Sequence, residues 1–188
     1  MSDLPDWLAT TLASDATGGE GVLDPLVRAL RQGQRVVGRA LVAAVGRDDN
    51  AAMRDVAAAS PAPGTVLVVG GAAQSRTAVM GDLVARELLG LGIAGVVTDG
   101  PVRDSAEIAA LGLPVWCRGA TPAASRKDGP GRVGGSVVVA GVLVHDGDVV
   151  VADDDGVVIW PAARVDELVA AADAKRRKDE ERLAALDR

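Results

Sequence analysis

The chain contains no phenylalanine and no tyrosine, so its three tryptophans are its only aromatic residues. Hydrophobic residues still make up 48% of the 188 residues, and the core must therefore be built from valine, leucine, isoleucine and alanine. An excess of basic residues is also lacking, since the formal net charge is −6. Nucleic-acid binders usually carry a basic surface, and those that bind single strands also carry aromatic side chains for base stacking. The composition therefore argues against DNA or RNA as a primary partner.

Cysteine and histidine each occur once, as Cys117 and His145. A single cysteine excludes an intramolecular disulfide framework, and a single histidine excludes a multi-histidine zinc site. We expect Cys117 to be a small buried side chain and His145 to lie at the surface or at an interface. No apolar run approaches the ~20 residues of a membrane-spanning helix. The N-terminus lacks the basic region and apolar run of a signal peptide, so a cytoplasmic location is expected.

The length is typical of a single domain, which we expect to span residues 1–188. Residues 1–32 form a helical arm in this interpretation, with short helices over 3–13 and 23–31. Residues 162–188 read as a long charged helix. Its charged second half is either a solvated face or a segment that lies across a neighbouring subunit.

Between these ends, residues 33–161 have the pattern of an α/β core. Valine-rich and continuous apolar runs predict strands at 35–45, 65–69, 93–98 and 114–118. The segments between them predict helices at 51–59, 77–91 and 105–111, with Ser105 as the N-cap of the last. This alternation implies a parallel sheet layered with helices. Short valine-rich strands at 136–144, 149–152 and 157–160 then predict an added antiparallel or barrel-like layer.

Two loops of this core carry the residues best suited to chemistry. The first is Gly81-Asp82-Leu83-Val84, and the second, which follows a buried strand, is Asp99-Gly100-Pro101-Val102-Arg103-Asp104. If a helix begins close to Gly81, its unpaired amides form a ready site for a carboxylate. A carboxylate suits a hard cation such as Mg²⁺, and the planar fork of Arg103 suits a second carboxylate. A bound metal and an arginine together are the minimum needed to hold and polarise a 2-oxo acid.

Each feature also has a structural explanation when it is taken alone. Asp82 is a favourable first-turn acid, and Arg103 with Asp104 is a possible surface ion pair of little energy. Two acidic clusters, at 146–148 and 153–156, lack the spacing of an EF-hand and predict turns between strands. No nucleotide-binding glycine motif occurs. The placement of both functional loops at strand ends of one sheet favours a functional site over these separate explanations.

Four segments in a fixed order resemble one known family. They are GTVLVVGG, GDLVARELLGLGIAGVVTDGPVRD, GLPVWCRGATP and AGVLVHDGDVVVADDDGVVIWP, followed by a charged helix. Over roughly residues 33–185 this order resembles the regulator-of-RNase-E-activity-A-like family. That family includes class II 4-hydroxy-4-methyl-2-oxoglutarate aldolases, which also decarboxylate oxaloacetate. The resemblance implies an α/β sandwich, a homotrimer or hexamer, and an active site at the subunit boundary.

The resemblance also implies roles for individual residues. Asp104 would bind Mg²⁺ or Mn²⁺, and Arg103 would hold the substrate and stabilise an enolate oxygen. Asp82 would order a metal-bound water and help to move protons. The backbone amides of Leu83 and Val84 would bind the carboxylate of the pyruvyl group.

A neighbouring chain is implied to add an acid from its C-terminal helix, which corresponds here to Glu180 or Glu181. A non-catalytic regulator of the same fold is the alternative function, but the branch that inhibits RNase E lacks the metal-binding aspartate. Three positions depart from the family pattern, namely Val42, Trp116 and His145. These departures bear on the identity of the substrate more than on metal binding.

Overall fold

The computed structural model describes residues 4–186, so the outermost residues of the predicted arm and C-terminal helix (1–3 and 187–188) lie outside the described residues. Within 4–186 the chain forms four α-helices, namely α1 (Thr10–Thr17), α2 (Asp82–Gly90), α3 (Ser105–Leu111) and α4 (Val165–Leu186). The same part of the chain forms ten strands, namely β1 (Arg28–Ala29), β2 (Val36–Ala44), β3 (Val66–Gly70), β4 (Gly95–Thr98), β5 (Val115–Cys117), β6 (Arg132–Val133), β7 (Ser136–Val139), β8 (Val142–His145), β9 (Val149–Asp153) and β10 (Gly156–Trp160).

One large sheet organises the molecule, in the strand order β1-β5-β4-β3-β2-β9-β10, with β6 paired to β2. Strands β2 to β5 run parallel, whereas β1, β9 and β10 extend the sheet by antiparallel pairing. A bridge between Val22 and Val158 links the segment before β1 to β10, so the sheet is nearly closed. The predicted α/β class, with a parallel core and barrel-like antiparallel strands, is confirmed. The predicted strand over 136–144 is a separate hairpin of β7 and β8.

Three groups of buried aliphatic side chains fill the space on either side of the sheet. One lies between the parallel strands and the helices α2 and α3, and includes Leu67 and Ile108. A second lies inside the curved sheet under the β7–β8 hairpin and contains Trp116, whose Nε1 donates to the carbonyl of Asp153 at 2.8 Å. In the third, α1 and α4 pack against β9 and β10. No helix among residues 4–186 is long and apolar enough to cross a membrane.

The helices of the N-terminal arm differ from their predicted positions. α1 begins at Thr10, seven residues after the predicted start, because the backbone amide and hydroxyl of Thr10 both donate to the carboxylate of Asp153. The predicted helix over 23–31 is wrong. Its buried residues Leu23 and Val27 have helical spacing, but the amide of Leu23 donates to Val157 and the segment ends in β1. Long-range pairing has replaced local helix formation there.

Two core helices are shorter than predicted. The segment 51–59 forms two short 3₁₀ turns, Ala51–Asp55 and Ala57–Ala59. The helix predicted from residue 77 begins at Asp82, because residues 76 and 77 donate their amides to Asp48 from a distant loop. α3 ends at Gly112 in a left-handed conformation, as a glycine cap predicts.

Candidate active site

The two loops singled out in the sequence lie side by side at the carboxyl edge of the parallel strands. They follow β3 and β4, which are paired neighbours. The amide of Val79 donates to the carbonyl of Pro101 at 2.9 Å, and the amide of Arg103 donates to Met80 at 3.0 Å. These backbone bonds place Gly81 directly against Arg103 and Asp104, as the sequence predicted.

The start of α2 offers unpaired backbone donors to this site. Gly81 is the N-cap residue in an extended conformation, and its carbonyl accepts from the amide of Ala85 at 3.0 Å. The amide of Asp82 donates to Asp104 at 3.3 Å. Helix geometry leaves the next two amides, those of Leu83 and Val84, without an intrahelical carbonyl. Together with the helix dipole, these two amides favour a bound carboxylate.

Arg103 and Asp104 form a partly exposed pair next to those amides. Arg103 Nε lies 3.3 Å from Asp104 Oδ2, and the two side chains are 40% and 35% exposed. Asp104 has a left-handed backbone (φ 53°) and is the N-cap residue of α3, so the prediction of Ser105 as the cap is wrong. The Asp104 carboxylate makes no capping hydrogen bond to α3. It is therefore available to a ligand on the side of α2.

The other predicted acids form ion pairs with other residues. The carboxylate of Asp82 lies 3.6 Å from Arg86 Nε, one turn farther along α2. Glu180 pairs with Arg176 on α4. Within residues 4–186, no hydrogen bond or ion pair joins Glu180 or Glu181 to the pair of Arg103 and Asp104. Their predicted role needs a second chain and stays a prediction.

A small cleft of about 90 Å³ opens beside Arg103. Pockets for drug-sized ligands usually measure about 300–1,000 Å³, so this cleft suits a much smaller molecule. Gly81, Leu83 and Val84 line one side of it. Three polar residues that the sequence did not single out as binding groups line it as well, namely Asn50, Ser125 and Lys127.

The cleft leaves one buried polar atom without a partner. Asn50 is only 8% exposed, and its Nδ2 donates to the carbonyl of Val79 at 2.7 Å. Its Oδ1 is buried and accepts no hydrogen bond from the described residues. A buried acceptor without a donor costs free energy, so a ligand or water that donates to it is favoured.

Of these three missed residues, only Lys127 stands out in the sequence. It is the only lysine before residue 175, and it lies in the glycine-rich loop that follows β5. Asn50 and Ser125 have no comparable signal. Their partnership with Arg103 depends on three loops that are distant in the sequence.

The donors at this site fit a divalent cation. Mg²⁺ is typically held by one or two carboxylates and completes its octahedron with water and substrate oxygens. Asp104 supplies one such carboxylate beside Arg103, which lines the cleft. Among residues 4–186, no group of three or more His, Cys, Asp or Glu side chains could enclose a metal. The site therefore suits a cation shared with a bound substrate, and not a closed structural metal centre.

Other titratable residues near the sheet serve the fold. Burial raises the pKa of the Asp99 carboxyl, which accepts from the amide of Ala72 at 2.9 Å. Burial also raises the pKa of the Cys117 thiol, and this confirms its expected role as a buried side chain. His145 is exposed, as expected. Residues 146–147 form the turn between β8 and β9, as predicted for that acidic cluster, and Asp146 also accepts the backbone amides of Val42 and Gly135.

Gly81 gives a direct test of how closely the two loops approach. A Cβ at this position would lie 2.3 Å from Asp104 Oδ2 and 2.9 Å from Arg103 Nε. Both atoms belong to flexible, partly exposed side chains, so we expect Gly81→Ala to displace the pair without unfolding the protein. Ligand turnover should fall at least about tenfold, the effect of losing roughly 1.4 kcal/mol of transition-state binding. Steady-state kinetics and a thermal melt check both effects.

Gly90→Ala at the other end of α2 is the matched control. A Cβ there meets no atom within 4 Å, and a helical alanine is favoured over glycine by roughly 0.4–1 kcal/mol. This variant should be slightly stabilised and fully active. Unchanged turnover in Gly81→Ala would show that the close contact with Asp104 is not needed.

Comparison with known proteins places this geometry in a family. The family model described as RraA-like, Aldolase/RraA, matches residues 10–159. The chain is 36% identical over 179 residues to a Halalkalibacterium halodurans protein named "Putative 4-hydroxy-4-methyl-2-oxoglutarate aldolase", with 95% of this chain and 85% of that protein covered.

Two solved structures share the fold closely. One is Streptomyces coelicolor RraAS2, described as an unusual member of the RNase ES inhibitor RraA protein family, with a TM-score of 0.81, 29% identity, and 94% of this chain and 93% of that chain covered. The other is the RNA-processing inhibitor RraA from Thermus thermophilis, with a TM-score of 0.70, 34% identity, and 82% and 93% covered. Since the family model matches residues 10–159, which are most of this chain, the chain belongs to the RraA-like family.

Proposed function

We propose that this protein is a divalent-metal-dependent lyase that cleaves or decarboxylates a small 2-oxo acid and releases pyruvate. The observation that carries the proposal is that the start of α2 and Arg103 line one small cleft, while the Asp104 carboxylate lies 3.3 Å from Arg103 Nε. The name of the Halalkalibacterium halodurans relative supports an aldolase activity of this kind.

The pyruvyl half of the substrate binds at the start of α2 in this proposal. The amides of Leu83 and Val84 donate to its carboxylate, where the helix dipole also favours negative charge. Arg103 donates to the 2-oxo oxygen, on which charge develops during the reaction. Donors fixed in advance at such a position typically contribute about 10²–10³ in rate.

The far end of the substrate binds at the three residues missed in the sequence. Lys127 supplies the second positive charge of the cleft and suits a second carboxylate. Ser125 adds a hydroxyl, although its Oγ already donates to the carbonyl of Ala78 at 2.8 Å. The unpartnered Oδ1 of Asn50 accepts from a donor such as a 4-hydroxyl group. A 2-oxo acid of four to six carbons with a second carboxylate matches this set of groups.

Both reactions break the bond between C3 and C4 and leave the electron pair on the pyruvyl fragment as an enolate. In decarboxylation C4 leaves as CO₂. In aldol cleavage the 4-hydroxyl passes its proton to the water that Asp82 orders, and C4 leaves as a carbonyl. Arg103 stabilises the enolate oxygen. Asp82 positions the water that returns a proton to C3, which gives pyruvate.

Asp104 holds the cation in this proposal. A bound Mg²⁺ or Mn²⁺ supplies Lewis-acid polarisation of the 2-oxo group, which typically contributes several kcal/mol. The backbone amide of Asp82 fixes the orientation of the Asp104 carboxylate toward α2.

A homotrimer or hexamer completes the site in this proposal. Leu83 is 66% exposed at the mouth of the cleft, and an apolar side chain there suits cover by another chain. Glu180 or Glu181 of a neighbouring α4 then adds the acid that no described residue of the same chain supplies.

A regulatory binding protein is the second candidate function. Its support is that one solved relative is described as an RNA-processing inhibitor and another as an unusual member of the RNase ES inhibitor RraA protein family. Asp104 argues for the enzyme, because a regulator has no evident use for a carboxylate beside the free amides of a helix.

The direct test is pyruvate release from oxaloacetate and from 4-hydroxy-4-methyl-2-oxoglutarate, coupled to lactate dehydrogenase. We expect release with Mg²⁺ or Mn²⁺, its loss in excess chelator, and its return when excess metal is added back. Because free Mg²⁺ decarboxylates oxaloacetate slowly, the same buffer without protein is the control. Release no faster than this control would contradict the lyase and favour the regulator.

A further inference from the structure

A buried acid next to the cleft, Asp49, links two of the segments that line the cleft. Asp49 is only 4% exposed, yet its carboxylate forms no ion pair with the described residues. One oxygen accepts from the amide of Ala51 at 2.8 Å. The other accepts from the amides of Gly129 at 2.7 Å and Asp128 at 3.1 Å. The carboxylate therefore joins two segments that are about 80 residues apart in the sequence.

These two segments carry Asn50 and Lys127, which both line the cleft. Asn50 follows Asp49 directly, and Lys127 precedes the Asp128 amide that Asp49 accepts. The amide of Asn50 also donates to the carbonyl of Arg126 at 2.9 Å. The position of Asn50 relative to Lys127 thus depends on a small set of bonds between these segments. The Asp49 carboxylate accepts two of them, the amide of Arg126 donates to the carbonyl of Asp48 at 3.0 Å, and the Arg54 guanidinium donates to the carbonyl of Lys127.

The neighbouring Asp48 extends the same arrangement to Ser125. Its Oδ1 accepts from the amides of Arg76 at 2.6 Å and Thr77 at 3.2 Å. The Thr77 hydroxyl lies 2.7 Å from the hydroxyl of Ser125. The two adjacent acids therefore hold the three loops that supply the polar groups of the cleft.

The charge of both acids is retained at neutral pH. Bonds from backbone amides, chiefly that of Ala51, hold the pKa of Asp49 below the ordinary carboxyl value of 3.8. The amide of Arg76 has the main lowering effect on the pKa of Asp48. Space at Asp49 is also tight, because a Cβ on Gly129 would lie 2.7 Å from Asp49 Cγ.

We propose that Asp49 is a positioning residue that sets the separation of Asn50 and Lys127, and so determines which group at the far end of the substrate is accepted. The inference rests on the proposed lyase function and extends it. Asp49 acts through its neighbours and does not touch the pyruvyl half, which binds at α2 and Arg103.

Asp49→Asn tests this role, because an asparagine keeps the shape but has one acceptor oxygen for three amide donors. Two reactions with Mg²⁺ are compared. Exchange of the C3 protons of pyruvate in D₂O, followed by NMR, uses only the pyruvyl half of the site. Decarboxylation of oxaloacetate also uses the far carboxylate. We expect the ratio of the decarboxylation kcat/KM to the exchange rate to fall about tenfold, mainly through KM.

Asp55→Asn is the matched control, since Asp55 is exposed on the same segment and the variant should keep the wild-type ratio. Gly129→Ala displaces the Asp49 carboxylate from the opposite side and should lower the ratio in the same way, even if Asp49→Asn does not fold. Equal losses in both reactions in Asp49→Asn, or an unchanged ratio in Gly129→Ala, would overturn the role of Asp49 and leave the lyase function standing. Absence of both reactions in the wild type would overturn the lyase function, and the inference with it.

Discussion

Replacement of Asp104 by asparagine is expected to lower kcat for pyruvate formation from oxaloacetate by about 10³-fold. In the proposed site this carboxylate binds the divalent cation, and loss of Lewis-acid stabilisation worth several kcal/mol corresponds to such a factor. Asparagine is the informative substitution because Asp104 has a left-handed backbone, which asparagine tolerates and alanine does not.

The fold should survive this change. The amide oxygen of asparagine can still accept from the Asp82 amide, so we expect a stability change of less than about 1 kcal/mol. Steady-state kinetics, a thermal melt and Mn²⁺ binding by calorimetry together separate loss of metal from loss of structure.

Glu107→Gln is the control for the loss of one negative charge. Glu107 lies exposed in the first turn of α3, three residues from Asp104, and should leave kcat and Mn²⁺ affinity within about twofold. If Asp104→Asn kept turnover within about threefold of the wild type, the metal role of Asp104 would be wrong.

Replacement of Arg103 by lysine is expected to lower kcat/KM by roughly 10²–10³-fold although the charge is kept. Lysine is a point charge on a flexible stem and cannot supply the planar fork that donates to a carboxylate or enolate through two parallel bonds. The removal of one donor aimed at developing negative charge typically costs a factor of this size.

The measurement is kcat and KM for oxaloacetate at saturating Mg²⁺, together with Mn²⁺ affinity. Mn²⁺ affinity should stay close to the wild type, because Arg103 acts on the substrate. Arg35→Lys, at an exposed position before β2, is the matched control and should be fully active. A lysine variant within about threefold of the wild type would show that charge alone is needed.

The sequence predicted those parts of the fold that depend on local patterns. Continuous valine runs identified β3 and β4, because strands covered on both faces need apolar side chains throughout. The same reasoning placed Gly81, Arg103 and Asp104 at strand ends of one sheet, and the structure brings them together. Acidic turns between the later strands were also predicted correctly, since aspartate and glycine suit tight turns.

Element boundaries were less predictable, because distant hydrogen bonds decided them. Thr10 begins α1 since Asp153, from β9, accepts its amide and hydroxyl. α2 begins at Asp82, because residues 76 and 77 are bonded to Asp48 instead of continuing a helix. The segment at 23–31 has helical spacing but pairs with β5 and β10, since Leu23 donates to Val157 and Arg28 lies opposite Cys117.

The sequence by itself therefore determined the α/β class, the valine-rich core and the meeting of Gly81 with Arg103 and Asp104. These follow from residue type and spacing within single segments. The tertiary structure decided the far end of the cleft, where Asn50, Ser125 and Lys127 come together. The half-buried carboxylate of Asp48 and the buried carboxylate of Asp49 accept amides from other loops and so link these segments. Such long-range bonds form only in the folded chain, and no local pattern in the sequence records them.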